Sequence, residues 1–408
     1  MSPIYCVLEI LKSLEKAKEE AIPSSGKDWE PVFEAARRQG LSAPLYHRLK
    51  ETGGLEKMPA DLRKKAHSDY LRNAARNMRV YHELGKILRR CDEAGLPVIV
   101  LKGAHLAQTV YENIALRTFG DLDLLVRETD LGKIDGLLSR ERYVRTEASL
   151  EATPAAHHFL YRHKTVGLTI ELHWRLFDSQ FPANIGTEEL FSRADEVVIA
   201  GQPAYVMESI DEVLYLCVHA AKHTFDNRLR GLYDIDRVIA TRREFIDWPG
   251  LAERARAWRA IRSVFLTLRL CRAFFETEIP DETMVRLVPA DFDDKYLAFA
   301  VENIADPKVG RGKMPTHDLT VFWGERKLIP KAIFLLKKLF PSPGYIAHSF
   351  PVSPNSILVG FFYPLHFLRM LGNKRSSLGR LARSLVTRAP KEGRETRTAA
   401  FWDWLRSG

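Results

Sequence analysis

The sequence predicts an α/β (α+β) fold: a small mixed β-sheet core with an N-terminal helical segment before it and a larger C-terminal helical region after it. Three observations predict this. Residues 1–95 repeat apolar side chains at helical spacing. Residues 96–206 alternate short extended runs with helical ones. From Ser209 onward helical spacing returns. Strands and helices that alternate in this way pack as layers around one sheet.

In the first segment Leu8, Leu11 and Leu14 recur at helical spacing, and so do Trp29, Val32, Phe33 and Ala36. Gly40 is a natural stop after Arg37-Arg38. A long helix is expected from about Ala60 to about Ala94, with Leu62, Ala66, Tyr70, Ala74, Met78, Tyr81, Leu84 and Leu88 on its apolar stripe. It ends at Gly95, near Pro97. The run PVIVLK is short, β-branched and bounded by Pro and Gly, so it reads as a buried strand. GAHLAQTVYEN reads as a helix and GDLDLLV, which alternates strictly, as a second strand. TDLGKIDGLLSRERYV reads as a helix leading into a short strand. HHFLYRH and VGLTIELHW read as two further strands joined near Lys164-Thr165. Helices follow at SIDEVLYLCVHAAKHTF, LRGLYDIDRVIATR and DWPGLAERARAW, running on to about Glu276. The expected divisions are therefore 1–95, 96–206, 207–323 and a basic tail, 324–408.

A chain of 408 residues implies more than one packed unit, and its 46% hydrophobic content is that of globular protein. The cysteines at 6, 91, 217 and 271 form no Cys-x-x-Cys pair, which excludes a thiolate zinc motif and points to free thiols in a reducing cytosol. The N-terminus turns charged too soon for a signal peptide. A cytoplasmic protein is expected, peripheral to the membrane if its basic tail binds lipid.

The net charge of +9 is concentrated. Between Arg326 and Lys391 stand twelve Lys or Arg and no Asp or Glu. This block has three readings: it covers an apolar groove with its charges in water, it lies on an anionic membrane, or it holds RNA by its phosphates. The longest apolar run, Ile357 to Leu371, contains Gly360, Pro364, His366 and Arg369 and is too short for a transmembrane helix.

The chemistry centres on Asp121 and Asp123. Residues i and i+2 of a strand share a face, so the two carboxylates project together while Leu122 and Leu124 face the core. Paired acids repel unless a cation holds them, and Mg²⁺ (or Mn²⁺) suits hard oxygen ligands that must also accept phosphate oxygens. Lys102 and Gly103 stand before the pair. Gly103 permits close backbone approach to a phosphate, and Lys102 and Arg117 are cations for the β- and γ-phosphates. Arg117 can equally neutralise the acids. Glu171, between Ile170 and Leu172, offers a third carboxylate.

LKGAHLAQTVY, then R-x-x-x-DLDLLV, then IELHW resemble the bacterial nucleotidyltransferase family 5 proteins of the DNA polymerase β-like nucleotidyltransferase superfamily. The HAAKH helix, LYDIDRV and PSPGY extend the resemblance over most of the chain. It implies an enzyme of the EC 2.7.7 type: transfer of an NMP from an NTP such as ATP to an acceptor hydroxyl or phosphate, with Mg²⁺ and release of pyrophosphate. By that resemblance Asp121 and Asp123 are the first metal-binding pair, Glu171 is the third carboxylate, and Gly103 is the glycine of the Gly-Ser motif. Two departures stand out. Ala104 replaces the usual Ser, and the gap from Gly103 to Asp121 is long.

Other candidates carry weaker signals. His173 shares the strand face of Glu171 and can shuttle a proton, bind phosphate or make a structural hydrogen bond. His219 and His223 share a helix face, but no Glu follows the first, as it does in His-Glu-x-x-His. Lys222 and His223 can contact the triphosphate or base. Asp234 and Asp236 are expected to pair with Lys222 or Arg230. His157, His158 and His163 receive no role. The acceptor is expected to be a small molecule, peptide or saccharide. Alternatives are a tRNA or protein acceptor, or a non-catalytic nucleotide-binding module.

Overall fold

The computed structural model describes residues 3–12, 23, 26–146, 157–178, 181, 183, 185–225, 228–305, 356, 358–372 and 394–407. PSPGY, PKAIFLLKKLF and most of the basic block lie outside the described residues.

Four helices come first: α1 (Pro3–Lys12), α2 (Gly26–Arg38), α3 (Ser42–Glu51) and α4 (Ala60–Glu93). Helix α4 runs close to the expected bounds and buries Val80, Leu84, Ile87 and Leu88 in the sheet's core. It stops where Gly95 takes a φ of +64°, a turn conformation that costs glycine little. Two buried polar residues interrupt its apolar stripe. Asn73 Nδ2 donates to the carbonyl of Ala115 at 2.6 Å, and Asn77 Nδ2 donates to the carbonyl of Arg117 at 2.8 Å. These bonds satisfy carbonyls of the segment 110–120 that no strand or helix pairs.

That segment joins α5 (Lys102–Thr109) to β2 (Asp121–Leu125), and α5 itself follows β1 (Ile99–Leu101). The helix expected through Asn113 ends four residues early. The backbone turns at Glu112, φ +55°, and asparagine side chains hold the remaining stretch as loop. Next come α6 (Leu131–Arg140), β3 (Tyr143–Arg145), β4 (His158–His163) and β5 (Thr169–His173). Helix α7 (Thr187–Arg193) then precedes β6 (Asp195–Ile199) and β7 (Gln202–Val206).

The seven strands form one mixed sheet in the order β3-β4-β5-β2-β1-β7-β6. β1 is antiparallel to β2, β2 parallel to β5, β5 antiparallel to β4, β1 parallel to β7, and β7 antiparallel to β6. The β6–β7 hairpin is an addition to the sequence reading. Pro203 within its second strand argues against a strand there, yet Ala200 and Gly201, both at positive φ, supply a two-residue turn that matches strand twist.

Beyond the sheet lie α8 (Ser209–Lys222), α9 (Arg228–Arg242), α10 (Trp248–Ala257), α11 (Ile261–Phe275), α12 (Asp281–Leu287) and α13 (Asp294–Ala305). Asp247 caps α10 by accepting from the Gly250 N–H at 3.2 Å. Helix α8 is buried almost throughout its length. It packs on α9 and α11, and its His219 reaches Lys102 at the start of α5. All four cysteines are buried free thiols.

The chain divides into two compact units, 1–144 with 157–307, and 145–156 with 308–408. The second contains α14 (Val359–Gly372) and α15 (Arg394–Arg406). No helix among the described residues is long and apolar enough to cross a membrane.

Candidate active site

Strand register brings the acids together. In the parallel pair of β2 and β5, Asp121 stands opposite Thr169 and Asp123 opposite Glu171. Leu122, Leu124, Ile170 and Leu172 take the other face and are at most 1% exposed, so apolar burial locks this register. Antiparallel pairing of β1 sets Leu101 opposite Asp123. Lys102 therefore enters α5 beside the acids, with a φ of +39° that is strained for a residue with a side chain.

The contacts are close. Lys102 Nζ lies 3.0 Å from Asp123 Oδ1 and 3.1 Å from His219 Nε2. His173 Nε2 lies 3.3 Å from Asp123 Oδ1 and 3.4 Å from Glu171 Oε2. Tyr215, four residues before His219 on α8, sits under the Lys102 ammonium, 5.9 Å from nitrogen to ring centre.

These contacts set the charges. Burial, then repulsion from Asp123 and Glu171, push Asp121 above its ordinary value. Burial alone would also raise Asp123, but the charge of Lys102 and the hydrogen bond from His173 outweigh it and hold that carboxyl low. The His173 hydrogen bond likewise lowers Glu171, against burial and the charge of Asp123. Burial opposes protonation of Lys102, yet the charge of Asp123 more than offsets it and keeps the ammonium charged. Burial, then the Lys102 charge, push His219 well down. His219 is therefore neutral and accepts from Lys102 through Nε2.

The donor set fits a hard divalent cation: three carboxylates on two adjacent strands, with Asp121 destabilised as an anion by burial first and then by the other two. Asp123, Glu171 and His173 also place ligand atoms within 4.8 Å of one another.

Other sequence candidates fall elsewhere. Arg117 is buried and bidentate to Asp234, Nε to Oδ1 at 2.9 Å and Nη2 to Oδ2 at 2.8 Å, with Tyr111 donating to the same Oδ1 at 2.7 Å. Its ion pair fixes the 110–120 loop to α9 and is made with neither Asp121 nor Asp123. Lys222 pairs with Asp178 at 2.9 Å, and Asp236 pairs with Arg237 and Thr277, so the partners expected for Asp234 and Asp236 are replaced. The His223 ring meets that of His219 at a tilt of 45°, with ring centres 4.5 Å apart. His173 is 3% exposed and lies between the acids rather than above them. At Gly103 an added Cβ would sit 2.9 Å from Phe119 Cβ, so close packing requires glycine there.

Sequence reasoning passed over Tyr215, Asp178, His157 and His158. Tyr215, His219 and Lys222 stand at i, i+4 and i+7, a helical stripe that was legible. His157 and His158 reach the ring of His173, at 5.7 and 5.0 Å between ring centres. Burial first, then nearby positive charge, push both below the ordinary histidine range.

Residues 25–276 match the sequence model of a family described as uncharacterised nucleotidyltransferase. The chain belongs to that nucleotidyltransferase family. The matched span runs from α2 to the end of α11, and every residue of this nucleotidyltransferase's candidate site lies within it. Similar solved structures include ANT(2")-Ia in complex with adenylyl-2"-tobramycin, at 14% identity and a TM-score of 0.33, covering 44% of this chain and 97% of that one. The solution structure of the antibiotic-resistance factor ANT(2")-Ia is similar at 15% identity, with the same TM-score and coverage of 48% and 98%. No curated protein matches this nucleotidyltransferase in sequence.

Proposed function

We propose that this nucleotidyltransferase moves an NMP from an NTP to a hydroxyl or phosphate of a small molecule, peptide or saccharide, releasing pyrophosphate, with Mg²⁺ or Mn²⁺ held by Asp121, Asp123 and Glu171. One observation carries the reading: the pairing of Asp123 with Glu171 across parallel strands, with Asp121 on the same face and Lys102 above them. The bound cation would neutralise phosphate charge and polarise the phosphoryl oxygens.

The residues have distinct tasks. Asp121 and Asp123 set the position of the nucleotide's phosphates. Lys102, kept charged, supplies positive charge to the leaving pyrophosphate. His219 and Tyr215 hold the Lys102 ammonium from α8. His173 donates to Asp123 and Glu171 and fixes their orientation from behind. An acceptor oxygen attacks the α-phosphorus, a new P–O bond forms, and the bond to the bridging oxygen of pyrophosphate breaks. The acceptor's proton leaves past Glu171, whose side chain is 28% exposed against 4% for Asp123.

Pyrophosphate release measured with each NTP, Mg²⁺ and a cell extract tests this. Asp121→Asn combined with Asp123→Asn should lower the rate by more than about 100-fold, beyond what the loss of a residue that only supports a ligand produces. Release at the wild-type rate would refute the mechanism.

A further inference from the structure

We propose that His157, His158 and His173 form a second metal site, a three-imidazole centre for a zinc-like divalent transition-metal ion, beside the all-oxygen site of Asp121, Asp123 and Glu171. It does not rest on the reading of nucleotidyl transfer.

The first support is convergence. His158 stands directly opposite His173 in the antiparallel β4–β5 pair, where facing side chains approach most closely. Consecutive residues of a strand point to opposite faces, so His157 would be expected on the far side. It lies just before β4, however, and its carbonyl accepts from the Trp174 N–H at 3.1 Å. Its ring turns back, with its centre 4.4 Å from that of His158. Each of the three rings offers a nitrogen, and these nitrogens all lie within 4.8 Å of one another.

The second is spacing. His158 Nδ1 and His157 Nε2 are 3.1 Å apart. Tetrahedral zinc at about 2.0–2.1 Å from each nitrogen sets neighbouring ligands roughly 3.3 Å apart. Little movement would admit the ion.

The third is an unpartnered atom. His173 is 3% exposed, and its Nδ1 is buried with no hydrogen-bond partner. Its Nε2 already faces Asp123 and Glu171. A metal-ligating histidine commonly donates its second ring N–H to a carboxylate, which fixes the tautomer and leaves the other lone pair for the ion. Here Nε2–H donates to the acids, and Nδ1 is the nitrogen left to ligate. Lys222, whose charge reaches both other rings, is tied to Asp178 at 2.9 Å.

Imidazole donors select zinc and its neighbours over Mg²⁺, which prefers oxygen. Three protein ligands leave a fourth position for water or a substrate atom. The chain would thus carry two chemically distinct metal sites, one on each side of His173.

The test uses the full chain, stripped with chelator and dialysed against zinc in excess Mg²⁺, with metal content read by mass spectrometry. Wild type should keep about one zinc per chain. His157→Gln with His158→Gln should keep about a tenth or less. Asp121→Asn should keep as much as wild type, which separates this site from the oxygen site. Circular dichroism checks folding, and His157→Gln alone, outside the strand ladder, replaces the double variant if that unfolds. Cobalt loaded into wild type should give the strong visible absorption of tetrahedral coordination, and this should vanish in the variant. Zinc absent from wild type, equal zinc in folded wild type and variant, or only weak octahedral cobalt bands would each overturn the proposal.

Discussion

At the scale of single residues, Gly103 shows how packing can require the residue for which the sequence suggests another task. The sequence suggests a glycine that lets phosphate approach the backbone. The structure adds that its missing Cβ leaves room for Phe119, whose Cβ and Cγ would lie 2.9 and 3.1 Å from an added methyl, and for Arg117 Nη1 at 3.3 Å. Phe119 is 5% exposed and meets Tyr81 edge-on, so it has little freedom to retreat. Gly103→Ala should therefore destabilise the fold by about 1–3 kcal/mol, the usual range for overpacking. Urea unfolding would show a lower midpoint at unchanged slope. A raised KM for NTP with unaltered stability would instead make phosphate approach the whole reason for the glycine. Arg117 marks what a sequence hides at this scale. It stands four residues before Asp121, and proximity along the chain suggested a role with phosphate or the acids. Its actual partner, Asp234, is 117 residues away. A buried ion pair depends on tertiary packing, and no local pattern records it.

At the scale of elements, most of the sheet was legible because its strands alternate apolar and polar residues on a period of two, as DLDLL and TIELH do. Adjacency was not legible. That β5 lies parallel beside β2, rather than elsewhere in the sheet, is set by the packing of whole layers, and so is the meeting of Glu171 with Asp123. The β6–β7 hairpin escaped because its strands carry Pro203 and an exposed Val198 rather than a clean apolar face. Helices show a parallel case where α5, α8 and α9 meet. Glu212 of α8 is buried, with Oε1 2.8 Å from His105 Nε2 of α5 and Oε2 3.0 Å from Arg242 Nη1 of α9. Burial alone would raise Glu212, but the charge and hydrogen bond of His105, followed by Arg242 and Arg117, outweigh it and lower its value. The folded value thus lies below the unfolded one, near 4.3, and the unfolded chain binds more protons as pH falls. The contribution is complete above the unfolded value and fades as pH drops through the folded one. Glu212→Gln should cost about 3 kcal/mol or more at neutral pH, as breaking a buried pair does. It should also flatten the fall of the melting temperature below about pH 5. Acid limbs of equal slope in wild type and variant would show that Glu212 is not the linked group.

At the scale of the whole molecule, the two compact units differ in what they carry. The first, 1–144 with 157–307, holds the seven-stranded sheet and every candidate site residue from Lys102 to His223, and the family match ends at 276, inside it. The second holds the residues from 308 onward and with them the acid-free basic block, 326–391. Each site contact described above joins residues of the first unit. A chain ending at Pro307 should therefore unfold in one transition and release pyrophosphate from NTP within a few-fold of the full chain when the acceptor is small. Loss of that release in a truncated chain with intact circular dichroism would mean that the basic block contributes to the reaction. The same pair of proteins separates a small acceptor from RNA. Contacts with phosphates release counterions, so binding of tRNA through several of the block's twelve Lys and Arg would weaken steeply with salt, by a slope near the number of phosphates engaged. Full-length protein that labels tRNA with such a salt dependence, beside a truncated chain that does not, would make the block an RNA-holding surface and tRNA the acceptor. Transfer to a small acceptor that is indifferent to both truncation and salt is the outcome expected here, because the carboxylates, Lys102 and the histidines around them all belong to the first unit and to the span that matches the family.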